Sequence, residues 1–317
     1  MGKEIHSGEG IIEAAQELSK KNKPKHVAVA AASDVAVLEA VSMAVKKNIC
    51  TSTLFGNSDN IKEIVDKYDI DLSEVELIDY TNPIEAAYNA VKMADEGNAD
   101  VIMKGFISTS GLLKTVLSRD FNLRGKNTLS HTAVLDIPGY HKMLGITDGG
   151  MVVKPDFDTK IQLIENSTMI FNALGFDKPK VALSGAIDYV DENFPSTILN
   201  QRIMEHYKTG KIPGCELFGP LTFDAATSRE IAQSRGIDNP VAGDADIFVV
   251  DSIEECNITS KVMILFIKAI FAGVIVGAKV PVSLVSRTDS TQNRMASLSI
   301  ACLVAHYLQQ SGGARNA

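Results

Sequence analysis

Short, nearly continuous apolar runs alternate with amphipathic stretches that open on capping residues. Residues 26–32 read as a strand, Ser33-Asp34 as a cap and 35–47 as a helix. Residues 51–55 lead past Asn57-Ser58-Asp59 into a helix over 61–68, and 75–79 lead through Thr81-Asn82-Pro83 into a helix over 85–94. Pro83 there takes the first helical position, where its missing N–H costs nothing. A fourth strand covers 100–103 and a helix 110–118. Apolar strands separated by helices predict a mainly parallel sheet covered on both faces.

The rhythm changes after Arg119. Residues 129–135 and 143–147 flank the turn Ile137-Pro138-Gly139-Tyr140 and read as antiparallel strands. Alternation then resumes: a helix over 158–173, a strand over 180–184, helices over 196–207 and 225–234, a strand over 246–250 and a helix over 254–271. The chain closes on one buried strand from 274 to 285, the polar segment Ser286-Arg287-Thr288-Asp289-Ser290, and a helix from Thr291 to about Tyr307. At 317 residues the chain exceeds what one core usually holds. The expected class is α/β with two domains, parallel-rich sheets and a cleft. The first domain is taken as 1–136 plus 287–317 and the second as 137–286.

Composition narrows the function. A formal net charge of −8 and the absence of Trp argue against a nucleic-acid binder, and any anionic ligand must be met by a local cluster of cations and N–H groups. The four cysteines, Cys50, Cys215, Cys256 and Cys302, form no C-x-x-C pair, so neither zinc nor a redox dithiol is indicated. The one membrane-length apolar stretch, 262–282, is broken by Lys268, Gly273, Gly277 and Lys279 and reads as a buried helix followed by a buried strand. The acidic N-terminus lacks the apolar core of a signal peptide, which gives a cytoplasmic expectation.

The end of the last strand holds the strongest candidate chemistry. Ser286, Arg287 and Asp289 put a hydroxyl, a guanidinium and a carboxylate at a helix N-terminus, which favours a phosphate. Asp289 with Gln292 also fits a capping box, a structural role that competes with a chemical one. Arg287 is required by no cap and points to an anion. In open parallel sheets ligands bind beyond the carboxyl ends of strands. There Lys104, Gly105, Ser108 and Thr109 open a helix with one cation, two hydroxyls and a close-approaching backbone; an ordinary βα turn is the plainer reading. His131 lies in a polar Ser-His-Thr patch, and Asp244 in Gly243-Asp244-Ala245-Asp246, which is as easily a turn as a ligand contact. P-loop, G-x-G-x-x-G and G-x-S-x-G patterns are missing where they would matter.

The segments Ala99-Asp100-Val101-Ile102-Met103-Lys104-Gly105-Phe106, Leu129-Ser130-His131, Thr147-Asp148-Gly149-Gly150, Gly219-Pro220-Leu221, Val241-Ala242-Gly243-Asp244-Ala245-Asp246-Ile247, Ile275-Val276-Gly277-Ala278-Lys279-Val280-Pro281 and Ser286-Arg287 occur in one order along nearly the whole chain. Together they resemble the phosphate acetyltransferase and butyryltransferase family, most closely its butyryl branch. The resemblance implies a two-domain fold like that of isocitrate and isopropylmalate dehydrogenases and a homodimer or higher homo-oligomer. It also implies reversible acyl transfer between coenzyme A, as substrate, and inorganic phosphate, with no obligate cofactor or metal. It carries the Ser-Arg pair onto Ser286 and Arg287. The acid that follows the pair in the acetyl members is Asn293 here, so the nearest carboxylate, Asp289, is the candidate base. A second departure is Cys256, in Glu254-Glu255-Cys256-Asn257, where the branch has Gly. Two other functions compete. A metal- and nicotinamide-dependent dehydrogenase of the same fold would recruit Asp148, Asp244 and Asp246, and a non-catalytic sensor would bind coenzyme A or an acyl phosphate.

Overall fold

The computed structural model describes residues 3–284 and 289–312. The chain forms two compact units, Gly8–Lys126 with Ala272–Ala317 and Met1–Ser7 with Asn127–Phe271. In the first unit α1 (Gly8–Lys21), β1 (Lys25–Ala30), α2 (Val35–Lys46), β2 (Cys50–Gly56), α3 (Ser58–Tyr68), β3 (Glu76–Asp79), α4 (Pro83–Asp95), β4 (Val101–Lys104) and α5 (Thr109–Val116) follow one another. The second unit holds β5 (Ser130–Asp136), β6 (Met143–Thr147), α6 (Phe157–Ala173), β7 (Lys180–Ser184), α7 (Pro195–Lys208), β8 (Glu216–Leu221), α8 (Phe223–Thr227), α9 (Arg229–Ser234), β9 (Ile247–Val249) and α10 (Ile253–Val262). The chain then returns through β10 (Ile270–Val276), β11 (Val282–Ser283) and α11 (Thr291–Gln310).

In the first unit the strand order is β3-β2-β1-β4-β11-β10. All neighbours are parallel except β10 with β11. Val27, Ala28, Val29 and Ala30 are all buried, so β1 is covered on both faces, the condition of a parallel sheet wrapped by helices. α4 packs on β1 and β2, while α11 packs on α1, α2 and β4. Each βα turn carries its own stop signal. Asp34 accepts from the N–H groups of Ala36 and Val37, Asn57 from Asn60, Asn82 from Ile84 and Ser108 from Gly111. In the second unit β5 pairs antiparallel with β6, as the Pro-Gly turn predicted, and β6, β9, β7 and β8 run parallel. Among the described residues no helix is long and apolar enough to cross a membrane.

Four expectations change. The helix expected over 254–271 ends earlier. α10 passes into a π-helical turn at Met263–Ile267, Lys268 takes a left-handed conformation (φ 60°), and the β-branched residues beyond it form β10. The single strand expected over 274–285 is, in its described part to 284, a hairpin, because Gly277 turns with φ 102° and Pro281 has no N–H for a ladder. The helix expected over 225–234 is two short helices split at Ser228, whose hydroxyl caps the second by accepting from Ile231. The domain limits also differ from 136 and 286: pairing with β6 draws β5 into the second unit, and pairing with β4 draws β11 into the first.

One glycine fixes how β4 leaves the sheet. The Gly105 N–H donates to the Ala30 carbonyl, and a Cβ at Gly105 would fall far inside contact distance of the Ala31 backbone carbonyl. Gly105→Ala is expected to force these strand ends apart at a cost of about 2 kcal/mol or more, read as a lowered Tm; an unchanged Tm would show that the turn can yield.

Candidate active site

The parallel pairing of β4 with β11 assembles the site in the first unit. Val282 lies opposite Ile102 and Ser283 opposite Met103, so both strands end at one edge of the sheet. β1 ends there too, with Ala30 opposite Lys104. The Lys104–Thr109 turn, the Ala31–Val35 turn and the start of α11 therefore share the carboxyl edge, where an open parallel sheet takes its ligands. The Lys104 ammonium donates to the carbonyls of Gly105 and Ile107, both at 3.1 Å, and thereby holds its own loop closed. The Ser108 hydroxyl accepts from the Gly111 N–H, and Thr109 is the first residue of α5.

At α11 the cap is Ser290, whose side chain accepts from the Asn293 N–H. The capping box expected for Asp289 is thus displaced by one residue, since Ser290 has the N-cap backbone (φ −66°, ψ 158°). Asp289 itself is buried, 8% exposed. Ser286 and Arg287 lie outside the described residues.

Arg294 went unassigned in the sequence. It stands in the first turn of α11, 8% exposed, and its guanidinium pairs with Glu39 of α2 at 3.3 Å. With Asp34, Val35 and Ala36 these two line a cavity of about 300 Å³. A cation in the first turn of a helix opposes the dipole, so it needs a carboxylate or an anionic ligand nearby. That conflict was the available signal.

The second unit has its own carboxyl edge. His131, at the start of β5, stands beside the end of β6, because Thr132 pairs with Thr147. Asp148 joins them: one oxygen accepts from the His131 N–H and the other from those of Gly150 and Met151. Cys256 fills the space against Gly149, and burial pushes its thiol up to about 12, so it packs as an inert group. α10 still begins normally on a Ser252 cap despite this departure from Gly.

Lys160 of α6 is fully buried at the same edge. It pairs with Asp251 and donates to Asn200, while Ser184 donates to the second Asp251 oxygen. Burial lowers the Lys160 pKa against the opposing pull of Asp251, and burial raises that of Glu255. The sequence signal was a lysine at core spacing with Leu163, Ile164 and Ser167.

Asp244 is placed elsewhere. It precedes β9, next to Lys142 before β6 and Lys180 at the start of β7, and so lies at the amino edge of the second unit's parallel strands. Its carboxylate binds Lys180, Lys142, His141 and Arg229. Partial burial alone would raise its pKa, but hydrogen bonds from Lys180, His141 and Lys142 outweigh this and hold it well below the usual carboxylate range. Asp246 pairs with the same Lys142. The expected substrate contact at Asp244 is thus a hub joining three strand starts. Asp148 stands at the opposite edge from Asp244 and Asp246, so the metal site that a dehydrogenase would build from the three is not formed.

Known proteins similar to this chain give its family. The family model described as phosphate acetyl/butaryl transferase matches residues 9–85 and 81–302. The chain belongs to that family. It is a phosphate acyltransferase, as the ordered motifs implied. The chain is 37% identical to a phosphate butyryltransferase of Clostridium beijerinckii over 90% of its length and 95% of the relative's. It is 36% identical to a phosphate acetyltransferase of Thermotoga maritima over 90% of its length and 97% of the relative's. A solved branched-chain phosphotransacylase from Enterococcus faecalis superposes with a TM-score of 0.81 at 32% identity, covering 89% of this chain and 99% of that one.

Asp244→Asn is expected to cost on the order of 2–3 kcal/mol, since it leaves several cations without their shared carboxylate. The folded-state pKa of Asp244 is depressed, so its stabilisation is complete above the ordinary carboxylate pKa of about 4 and is lost as pH falls through the lower folded value. Denaturant melts should show a wild-type advantage at pH 7 that shrinks below pH 4. A gap that is constant with pH would contradict the ionic role.

Proposed function

We propose that the enzyme transfers a short-chain acyl group reversibly between coenzyme A and inorganic phosphate at the carboxyl edge of the first unit's sheet. The observation that carries this reading is the β4–β11 register, which brings the Lys104–Thr109 turn and the start of α11 to one edge. Ser286 and Arg287 follow Ser283, the last residue of β11, by three and four positions in the sequence.

The chemistry follows from charge. Phosphate and coenzyme A are both anions and approach each other poorly in water, so the site must hold them side by side. Arg287 fits this task through its fork of donors on the phosphoryl oxygens, and the positive end of α11 adds to it. A phosphate oxygen attacks the thioester carbonyl carbon. Ser286 donates to the oxyanion of the tetrahedral intermediate, the C–S bond breaks and its electron pair leaves on sulfur. In the reverse direction the coenzyme A thiol must lose its proton, and Asp289 is the carboxylate nearest in sequence to the pair. Asp289, which precedes the Ser290 cap, takes the role of base in this reading. Relatives named for butyryl and for acetyl transfer stand at nearly equal identity, so the acyl chain is assigned only as short.

The working form is a homodimer acting in the cytoplasm. Ile258, Val262, Leu265 and Phe266 are all exposed, Phe266 at 80%, and they follow one another at helical spacing along α10 and the π turn. A stripe of this kind is covered by a second copy more readily than by water.

Thiol release from acetyl-, propionyl- and butyryl-coenzyme A, with and without phosphate, tests the reaction. Phosphate-dependent release is expected, with Arg287→Ala and Ser286→Ala each lowering turnover about a hundredfold or more; release that ignores phosphate would indicate a thioesterase and sink the proposal. Phe266→Glu is expected to shift the protein to a monomer by light scattering, whereas an unaltered mass would place the interface elsewhere.

A further inference from the structure

A hollow of about 330 Å³ opens at the amino edge of the first unit's sheet, at the other end of β4 and β11 from the candidate acyl-transfer edge. It lies between the end of α4, the start of β4, the turn from β10 to β11 and the last turns of α11. That is the size of a pocket for a small molecule and too roomy for a bare ion. Among the described residues no three metal-ligating side chains come together. The walls carry three carboxylates, Asp95, Glu96 and Asp100, and one ammonium, Lys279. Asp100 is already engaged, since its two oxygens accept from the His26 N–H and the Gln309 amide. Asp95 is half-buried, uses one oxygen on the Asn122 N–H and forms no ion pair among the described residues. Glu96 meets only the exposed Lys92, at 3.8 Å. Lys279 is half-buried too, and among the described residues its ammonium forms no ion pair and donates no hydrogen bond.

Charges of both signs that line one hollow without meeting each other are matched by a ligand that carries both signs itself. The carboxyl ends of α4 and α11 place the negative ends of two helix dipoles beside the carboxylates, which favours a cationic group there. Leu123, Val280, Pro281 and Ala305 supply an apolar wall. We propose that this hollow binds a free α-amino acid with an apolar side chain. Its ammonium meets Asp95 and Glu96, its carboxylate meets Lys279, and its side chain lies on the apolar wall. The frame is tied down without the ligand, because the Lys279 N–H donates to the Leu123 carbonyl and the Ile102 N–H to the Pro281 carbonyl. α11 covers about 21 Å from Thr291 to Ala305, so this ligand stands apart from the reacting groups. It touches β11 and α11 at the ends that lead away from the candidate acyl-transfer edge.

Calorimetry of the full chain with L-leucine and L-valine tests it. At least one of them is expected to bind with a Kd of about 1 mM or below. Asp95→Asn and Lys279→Met should each weaken that binding about tenfold, the loss that goes with one charge-assisted hydrogen bond. An unchanged Tm in both variants would show that the loss is local. In the wild type, 4-methylpentanoate lacks the ammonium and 3-methylbutylamine lacks the carboxylate, and each should bind about tenfold more weakly than L-leucine. Hydrogen–deuterium exchange with L-leucine should slow at 94–100 and 279–281 and stay the same at 104–111. No heat from either amino acid at about 10 mM would overturn the proposal. So would binding that both variants leave intact, or an amine that binds as tightly as L-leucine. If either variant fails to fold, the two analogues and the exchange pattern decide on the wild type alone.

Discussion

Two residue pairs, Val282 with Ile102 and Ser283 with Met103, set the register on which the candidate site depends. β11 is only two residues long, yet its parallel alignment with β4 decides which chain segments meet at the edge. A slip of one residue would turn each side chain of β11 to the other face of the sheet and shift the approach to α11. Gly105 enforces the arrangement from the other side. Its missing Cβ lets the chain turn against Ala31 just where β4 ends, and its N–H completes the ladder to Ala30. The hairpin that delivers β11 has a similar constraint, since the Gly125 backbone packs directly on the carbonyl of Gly277.

Charge is distributed by edge. An acidic protein that works on anions cannot use its overall field, so its cations must be placed locally. In the second unit Lys142 and Lys180 are spent on Asp244 and Asp246 at the amino edge, where they join strand starts. At the carboxyl edges lie the buried Lys160 with Asp251 and the buried Arg294 with Glu39. Removing Asp251 would take from the buried Lys160 ammonium its carboxylate, and removing Glu39 would take one from the buried Arg294 guanidinium, each at a cost in stability.

The α/β alternation and most caps were legible in the sequence because they are local. Asp34, Asn57, Asn82 and Ser108 each do what an Asx or Ser residue before an apolar-periodic run does. The hairpin of β10 and β11 was not legible, since its apolar run is continuous and only the backbone of Gly277 marks the reversal. The cap of α11 was misplaced by one residue because Asp289 and Ser290 are both good caps and tertiary packing chose between them. The edge at which Asp244 lies required knowledge of strand direction, which no local pattern encodes. Lys160 and Arg294 were visible as conflicts, a lysine at core spacing and an arginine at a helix start, but their partners Asp251 and Glu39 are distant in sequence.

The placement of the site is tested most directly by hydrogen–deuterium exchange with and without coenzyme A. Slowed exchange is expected at 33–37, 104–111 and 289–296, with no change at 94–100 and 279–281 on the opposite edge of the same unit. Protection confined to that opposite edge, or to the strand starts around Asp244, would contradict a site built on the β4–β11 register.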